Sequence, residues 1–261
     1  MSLITVTDIG ISFGGIRAVD HVSFSAEAGK IFSIIGPNGA GKTTLFNLIS
    51  GVYRTETGSV TLCGEDVTGF TPEALAVRGL ARTFQNLQVF FRMSALENVM
   101  VGRHVHEKKR ALAHLFGLPA TARENRETRE IAFALLERLR LAEVAGKPAG
   151  SLSYGQLKRL EIARALAMQP KILLLDEPAA GCNPTETAEI DEMIVEVARS
   201  GIGILLVEHD MKLVMGVSDR VLVLTQGKKL IEGTPDEVAN SPAVIEAYLG
   251  TGLPSTEKAD A

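Results

Sequence analysis

The chain has no tryptophan, only two cysteines (Cys63 and Cys182), and 5% aromatic residues in 261. Two cysteines in a chain of this length read as reduced thiols and exclude a disulfide framework. Nor is there an apolar run near the roughly 18–20 residues that a membrane helix needs. The longest candidates, Ile204–Val207 and Val221–Leu224, are strand-length. The opening MSLITVTDIGISFGG lacks a basic segment followed by an apolar one, so no signal peptide is expected. A basic excess is missing too: 27 Lys and Arg stand against 31 Asp and Glu, a net charge of −4. A general nucleic-acid binder needs a basic surface to displace counterions, so no nucleic-acid partner is expected. These absences place the chain in the cytosol and leave any membrane role to a partner.

What remains is an ordinary globular mixture, 46% hydrophobic and 22% charged, long enough for one large domain with a subdomain. Ile31–Ile35, Ile172–Leu175, Ile204–Val207 and Val221–Leu224 are short apolar runs of the kind buried on both faces of a sheet. Helical stretches lie close to them at Thr43–Ser50, Gln156–Ala167 and Glu186–Arg199. This alternation predicts an α/β fold with a largely parallel sheet. Ile4–Val6, Val22–Phe24 and Ser59–Leu62 alternate instead and predict a small antiparallel β layer beside it. From Arg92 to Gly150 the texture turns to Ala, Leu, Glu and Arg, with Ile131, Leu135, Leu136 and Leu139 at helical spacing. A helical subdomain over about 92–157 is therefore expected within one domain covering 1–250, followed by a loose tail at 251–261.

Gly36-Pro37-Asn38-Gly39-Ala40-Gly41-Lys42-Thr43 follows a predicted strand and precedes a predicted helix. In that setting G-x-x-x-x-G-K-[ST] is a phosphate loop: glycines let the backbone wrap an anion, and the helix N-terminus faces it. Lys42 is expected on the terminal phosphates, the Thr43 hydroxyl on Mg²⁺, and Thr44 as a further donor. Asp176 and Glu177 end the Ile172–Leu175 strand, the edge where open α/β sheets place ligands. Asp176 is expected to hold Mg²⁺ and Glu177 to polarise the attacking water. Together these motifs imply a nucleoside triphosphatase and leave its task open.

Leu152-Ser153-Tyr154-Gly155-Gln156 resembles the signature motif of the ATP-binding cassette (ABC) superfamily, with Tyr154 replacing a glycine. The other elements of that superfamily appear in order: Phe13 as the aromatic on adenine, Gln85 in Arg82-Thr83-Phe84-Gln85-Asn86 as the Q-loop, Ala180–Asn183 as the D-loop, and His209 as the switch histidine. The resemblance implies a RecA-like P-loop NTPase core and two subunits that pair head to tail. Ser153, Gly155 and Gln156 of one subunit would then cap the ATP held by the other, Gln85 would sense Mg²⁺, and His209 would contact the γ-phosphate. Leu160–Leu166, Asp176–Gly181, Val207–Met211, Gly233–Pro235 and Ala247–Gly250 resemble the LivG-type subunits of branched-chain amino-acid importers. That likeness implies ATP and Mg²⁺ as cofactors and a second ATPase subunit, the same chain or a sister, as partner. Two transmembrane permease subunits and, indirectly, an extracytoplasmic solute-binding protein complete the expected assembly at the cytoplasmic membrane face. Cys182 departs from this group, which usually carries leucine there.

Several alternatives stay open at this point. Related cassettes serve urea, amides or aromatic acids, and some soluble members act on DNA or the ribosome. A regulatory module that binds ATP without turnover is a third class. His104, His106 and His114 lack the cysteine or carboxylate pattern of a metal site. Lys108-Lys109-Arg110 reads as a solvated helix end or as a lipid-facing patch. Phe84, Leu87, Val89, Phe90 and Phe91 read as core or as an apolar surface that receives a helix of the membrane subunit.

Overall fold

The computed structural model describes residues 2–106 and 119–249. The 251–261 tail, Lys108–Arg110 and His114 lie outside that set, as does the 107–118 part of the expected helical segment. Strand β1 (Ser2–Phe13) turns through Gly14 and Gly15 into β2 (Ile16–Glu27). Both glycines have positive φ, 54° and 85°, as a tight turn requires. With β4 (Thr57–Leu62) and β5 (Glu65–Asp66) they form an antiparallel sheet in the order β2-β1-β4-β5. This is the expected antiparallel layer, although β1 runs well beyond Ile4–Val6.

The main sheet has the order β10-β9-β3-β8-β7-β6. Strands β3 (Ile31–Ile35), β7 (Ile172–Asp176) and β8 (Gly203–Val207) are buried at every position, which is why each reads as a mostly apolar run, broken only by Ser33 in β3 and by Asp176 at the end of β7. β6 (Leu80–Arg82), β7, β8, β3 and β9 (Arg220–Thr225) run parallel; β10 (Lys228–Gly233) pairs antiparallel with β9. Successive residues serve opposite faces. Ile172, Leu174, Leu205 and Val207 pack toward Ile4, Val6, Phe24 and Phe46 on the antiparallel side. Leu173, Leu175, Ile204 and Leu206 pack toward Leu160, Ile190, Ile194 and Leu136 on the helical side.

The helices are α1 (Lys42–Ile49), α2 (Pro72–Val77), α3 (Ala95–Gly102), α4 (Pro119–Arg138), α5 (Tyr154–Ala167), α6 (Pro184–Arg199), α7 (Met211–Val217), α8 (Pro235–Ala239) and α9 (Pro242–Leu249). Reciprocal capping boxes start α3 (Ser94 with Glu97), α5 (Ser153 with Gln156), α6 (Asn183 with Glu186) and α8 (Thr234 with Glu237), each worth about 1 kcal/mol at its cap. From β6 to β7 the described chain holds helices and no strand, with α3 packed on α4 and α5. Three sheet strands, β5, β6 and β10, have no counterpart among the predicted ones, and β5 has only two residues. β6 has three residues and ends on an arginine, and β10 is a partly exposed edge opening with Lys228-Lys229.

Candidate functional site

The loop from β3 to α1 is shaped by residues that cannot carry a side chain. Gly36 has φ 150°, and a Cβ there would sit 2.2 Å from the Leu224 carbonyl oxygen. Gly41 has φ 101°, and its Cβ would lie 2.4 Å from the Ala18 oxygen. Pro37 accepts the Ala40 N–H at 3.1 Å, and Ala40 in turn accepts the Gly227 N–H at 3.0 Å, which closes the loop. Gly41 caps α1 without a side chain, so the first-turn N–H groups of Lys42, Thr43 and Thr44 have no side-chain acceptor. An uncapped helix N-terminus behind a glycine-rich loop is an anion cradle.

That cradle forms one wall of a cleft of about 570 Å³. Asn38 to Thr44 line it together with Ile16, Arg17 and Ala18 of β2, Gln226 and Gly227, and Gln85 and Glu177. Gly36 and Pro37 lie behind this wall, where their carbonyls accept the Lys42 ammonium at 2.6 and 3.1 Å. Burial lowers the Lys42 pKa, against the opposing pull of Glu177 and Asp176.

Glu177 follows β7 in a left-handed backbone conformation, φ 50°, uncommon for a residue with a Cβ. Its N–H donates to the Val207 carbonyl at 2.9 Å. Its Oε2 accepts the Gln85 Nε2 amide at 3.0 Å, and its Oε1 lies 3.9 Å from His209 Nδ1. His209 itself is 65% exposed. The neighbouring Glu208 is buried and accepts the Ala179 and His209 N–H groups at 3.4 and 3.2 Å. Burial raises its pKa. Asp176 is buried as well, and its Oδ2 accepts Arg82 at 3.0 Å. Burial pushes the Asp176 carboxyl up, and the Arg82 guanidinium opposes that.

Lys42, Thr43, Thr44, Gln85 and Glu177 therefore meet in one cleft, with His209 beside Glu177 and Asp176 immediately behind it. Phe13 is placed differently. It is 46% exposed, packs edge-on against Tyr53 at 5.3 Å, and is not part of the cleft wall, where Ile16, Arg17 and Ala18 stand. Ser153, Gly155 and Gln156 are also away from this cleft. Within the chain, Gln156 Oε1 accepts the Ser153 N–H at 3.0 Å while Ser153 Oγ accepts the Gln156 N–H at 3.3 Å. Sequence gives no role to Arg82, Tyr53, Lys158, Glu161 or Glu208, although Arg82, Glu161 and Glu208 fall inside its motifs. A lone Arg closing the apolar run Leu80-Ala81-Arg82, and Glu161 within Leu160-Glu161-Ile162-Ala163, were the available signals of buried charge.

The donor set fits a nucleotide that brings its own metal. No group of three or more His, Cys, Asp or Glu able to hold an ion exists among the described residues. The chain offers the Thr43 hydroxyl in the cleft and the Asp176 carboxylate behind it. Mg²⁺ is usually held by one or two carboxylates plus phosphate oxygens and water, which matches so sparse a protein contribution.

Comparison with known proteins adds the following. The ABC transporter family profile matches residues 19–180. That of the branched-chain amino acid ATP-binding cassette transporter matches residues 228–253. The chain is 45% identical over 249 residues to the high-affinity branched-chain amino acid transport ATP-binding protein BraF of Pseudomonas aeruginosa, covering 95% of this chain and 98% of the relative. It is 45% identical, with the same coverage, to the corresponding ATP-binding protein LivG of Escherichia coli K12. Among solved structures it resembles the ADP conformation of an ATP-binding cassette of an ABC transporter, at 35% identity and TM-score 0.83, covering 96% of this chain and 99% of that one. A nucleotide-free cassette is similar at TM-score 0.84 and 35% identity, covering 96% and 100%.

Proposed function

The chain belongs to the ABC transporter family of ATP-binding proteins, and on that premise we propose that it hydrolyses MgATP to power uptake of branched-chain amino acids. The observation that carries the reading is the cleft in which the uncapped N-terminus of α1 and its glycine loop face Glu177 and Gln85. The backbone N–H groups of the loop and α1 bind and orient the phosphates. Lys42 turns from the Gly36 and Pro37 carbonyls toward the terminal phosphate. Glu177 takes the proton of the attacking water, held in aim by the Gln85 amide, and His209 lies close enough to swing onto the γ-phosphoryl group. Thr43 and Asp176 would hold Mg²⁺, with Gln85 sensing it, and the ion would supply charge neutralisation for the phosphates. Catalysis of this kind rests on positioning and electrostatic stabilisation.

Ser153, Gly155 and Gln156 open α5 away from the chain's own cleft. In the proposed assembly they serve a second ATPase subunit, whose cleft they close, and the helical region 92–157 moves with them inside the 1–250 domain. Phe13 and Tyr53 provide an aromatic edge near the mouth of the cleft, and adenine stacks on Phe13. Phe84, Phe90 and Phe91 are 43%, 49% and 51% exposed beside Gln85. Exposed phenylalanines next to a site residue support the reading that two permease subunits dock here, with the chain at the cytoplasmic membrane face. No described helix is long and apolar enough to cross a membrane.

Deletion of the gene should abolish energised uptake of leucine, isoleucine and valine at low external concentration, and restoring the wild-type chain should recover it. Loss of uptake of a different solute, with these three unaffected, would overturn the substrate assignment and leave the ATPase reading in place.

A further inference from the structure

Helix α5 carries two buried charges that the proposed chemistry does not use. Lys158 is 2% exposed and Glu161 is 3% exposed. They stand one helical turn apart, so they share a face. Burying either charge alone would be strongly unfavourable, and each is instead committed to backbone of the catalytic region. Lys158 Nζ donates to the Gln85 carbonyl at 3.3 Å and to the Glu177 carbonyl at 3.5 Å. Glu161 Oε1 accepts the Gln88 N–H at 3.3 Å. The two side chains hold opposite polar groups of the Gln85–Gln88 segment, an irregular stretch with no sheet partner for them.

The same ammonium reaches the two residues whose side chains meet in the cleft, Gln85 and Glu177. It also lies 5.8 Å from the centre of the Tyr154 ring. The Tyr154 ring packs so closely on Gly181 that a Cβ there would sit 3.0 Å from it. Glu177 keeps a left-handed φ of 50°, a conformation that persists only when its surroundings hold it. An ammonium on its carbonyl fixes the orientation of the peptide that follows.

We infer that Lys158 and Glu161 are positioning residues that hold Gln85 and Glu177 in register with helix α5, so that ATP turnover depends on where that helix sits. The inference rests on the ATPase reading and deepens it. A displacement of α5, whether by a second subunit at Ser153 or by a permease at Phe84–Phe91, would pull on the carbonyls of Gln85 and Glu177 together. Phosphate binding by the α1 loop uses backbone that neither side chain bonds and would be spared.

The test is steady-state ATP hydrolysis by the full-length protein, with wild type and Glu177→Gln assayed alongside. Lys158→Met should lower kcat roughly ten- to a hundred-fold, the scale of a small misplacement at a reacting centre, with KM for ATP within about twofold of wild type. Lys158→Met leaves Glu161 buried without its countercharge, so the double variant Lys158→Met/Glu161→Gln is the decisive protein. It removes both charges, should melt as cooperatively as wild type, and should have a kcat no lower than the worse single variant, as two residues acting as one unit require. A folded double variant with wild-type kcat would overturn the inference. So would a double variant that does not fold, or a loss expressed mainly in KM. Absence of turnover in wild type would instead sink the ATPase reading itself.

Discussion

Arg82 and Asp176 form an ion pair at 3.0 Å with only 6% and 4% of their side chains exposed. Arg82 ends β6 and also donates to Asn47 Oδ1 and Ser50 Oγ, both at 2.7 Å. It thereby ties α1, which follows the phosphate loop, to the acidic end of β7. Asp176 thus has its countercharge built in, and the pair joins the two motifs that the cleft requires.

Removing one partner of such a pair leaves a buried charge uncompensated. Arg82→Met should therefore lose about 3–5 kcal/mol of stability, read as a lower urea midpoint. Arg82→Met/Asp176→Leu should recover most of that loss, because no orphan charge remains, and should still fail to hydrolyse ATP. Recovery of turnover in the double variant would show that Asp176 has no part in the chemistry.

Asp191 on α6 supplies a pH prediction. Its carboxyl is pushed up to about 6, chiefly by burial and then by the negative charge of Asp210, and its Oδ1 is buried without a hydrogen-bond partner. The raised value means that the folded chain keeps a proton between about pH 4 and pH 6 that the unfolded chain releases. Stability should fall as pH rises through that window and level off above it. Asp191→Asn should flatten this slope and gain on the order of 1 kcal/mol at pH 7.5, after allowance for solvent screening. Thermal melts of both proteins from pH 4 to 8 check it.

The two thiols should react at different rates. Cys63 is exposed in the turn between β4 and β5. Cys182 is half-buried against the helical-side core, and burial, then the Glu186 carboxylate, raise its pKa. Thiolate is the reactive form, so iodoacetamide at pH 7.5 should modify Cys63 first, by peptide mapping of short exposures. Cys182 follows Gly181, on which the Tyr154 ring of the Ser153–Gln156 segment packs, so with that segment at a second subunit ATP should slow the residual reaction at Cys182 and leave Cys63 unaffected. Faster labelling of Cys182 would contradict this placement.

Gly36 is a position in the phosphate loop where an added methyl group has no room. Gly36→Ala forces a Cβ onto the Leu224 carbonyl at φ 150°, backbone against backbone. A loss of at least about 2 kcal/mol and of ATP binding should follow, measured by melting and by a fluorescent ATP analogue. Gly146→Ala meets nothing within 4 Å and should behave as wild type in both assays.

Much of the site was legible in the sequence because it depends on local chemistry. Gly36–Thr43 must wrap an anion, and Asp176-Glu177 must end a buried strand; each requirement writes a short, ordered pattern. The central strands were legible because burial on both faces leaves Ile172–Leu175 without a polar residue. What escaped depends on contacts between distant segments. Arg82 meets Asp176 across 94 positions, and Lys158 reaches Gln85 across 73, so neither pairing has a spacing to read. Phe13 faces Tyr53 for a similar reason: the end of β1 and the segment before β4 converge only in the folded sheet.

The central claim, that this cleft hydrolyses ATP with Glu177 as general base, is tested most directly by comparing turnover and nucleotide binding in wild type and Glu177→Gln. The substitution keeps the side-chain shape and removes the base. The account predicts that Glu177→Gln binds ATP as tightly as wild type while kcat falls at least about a hundredfold, the scale of general-base contributions. Wild-type turnover by Glu177→Gln would contradict it.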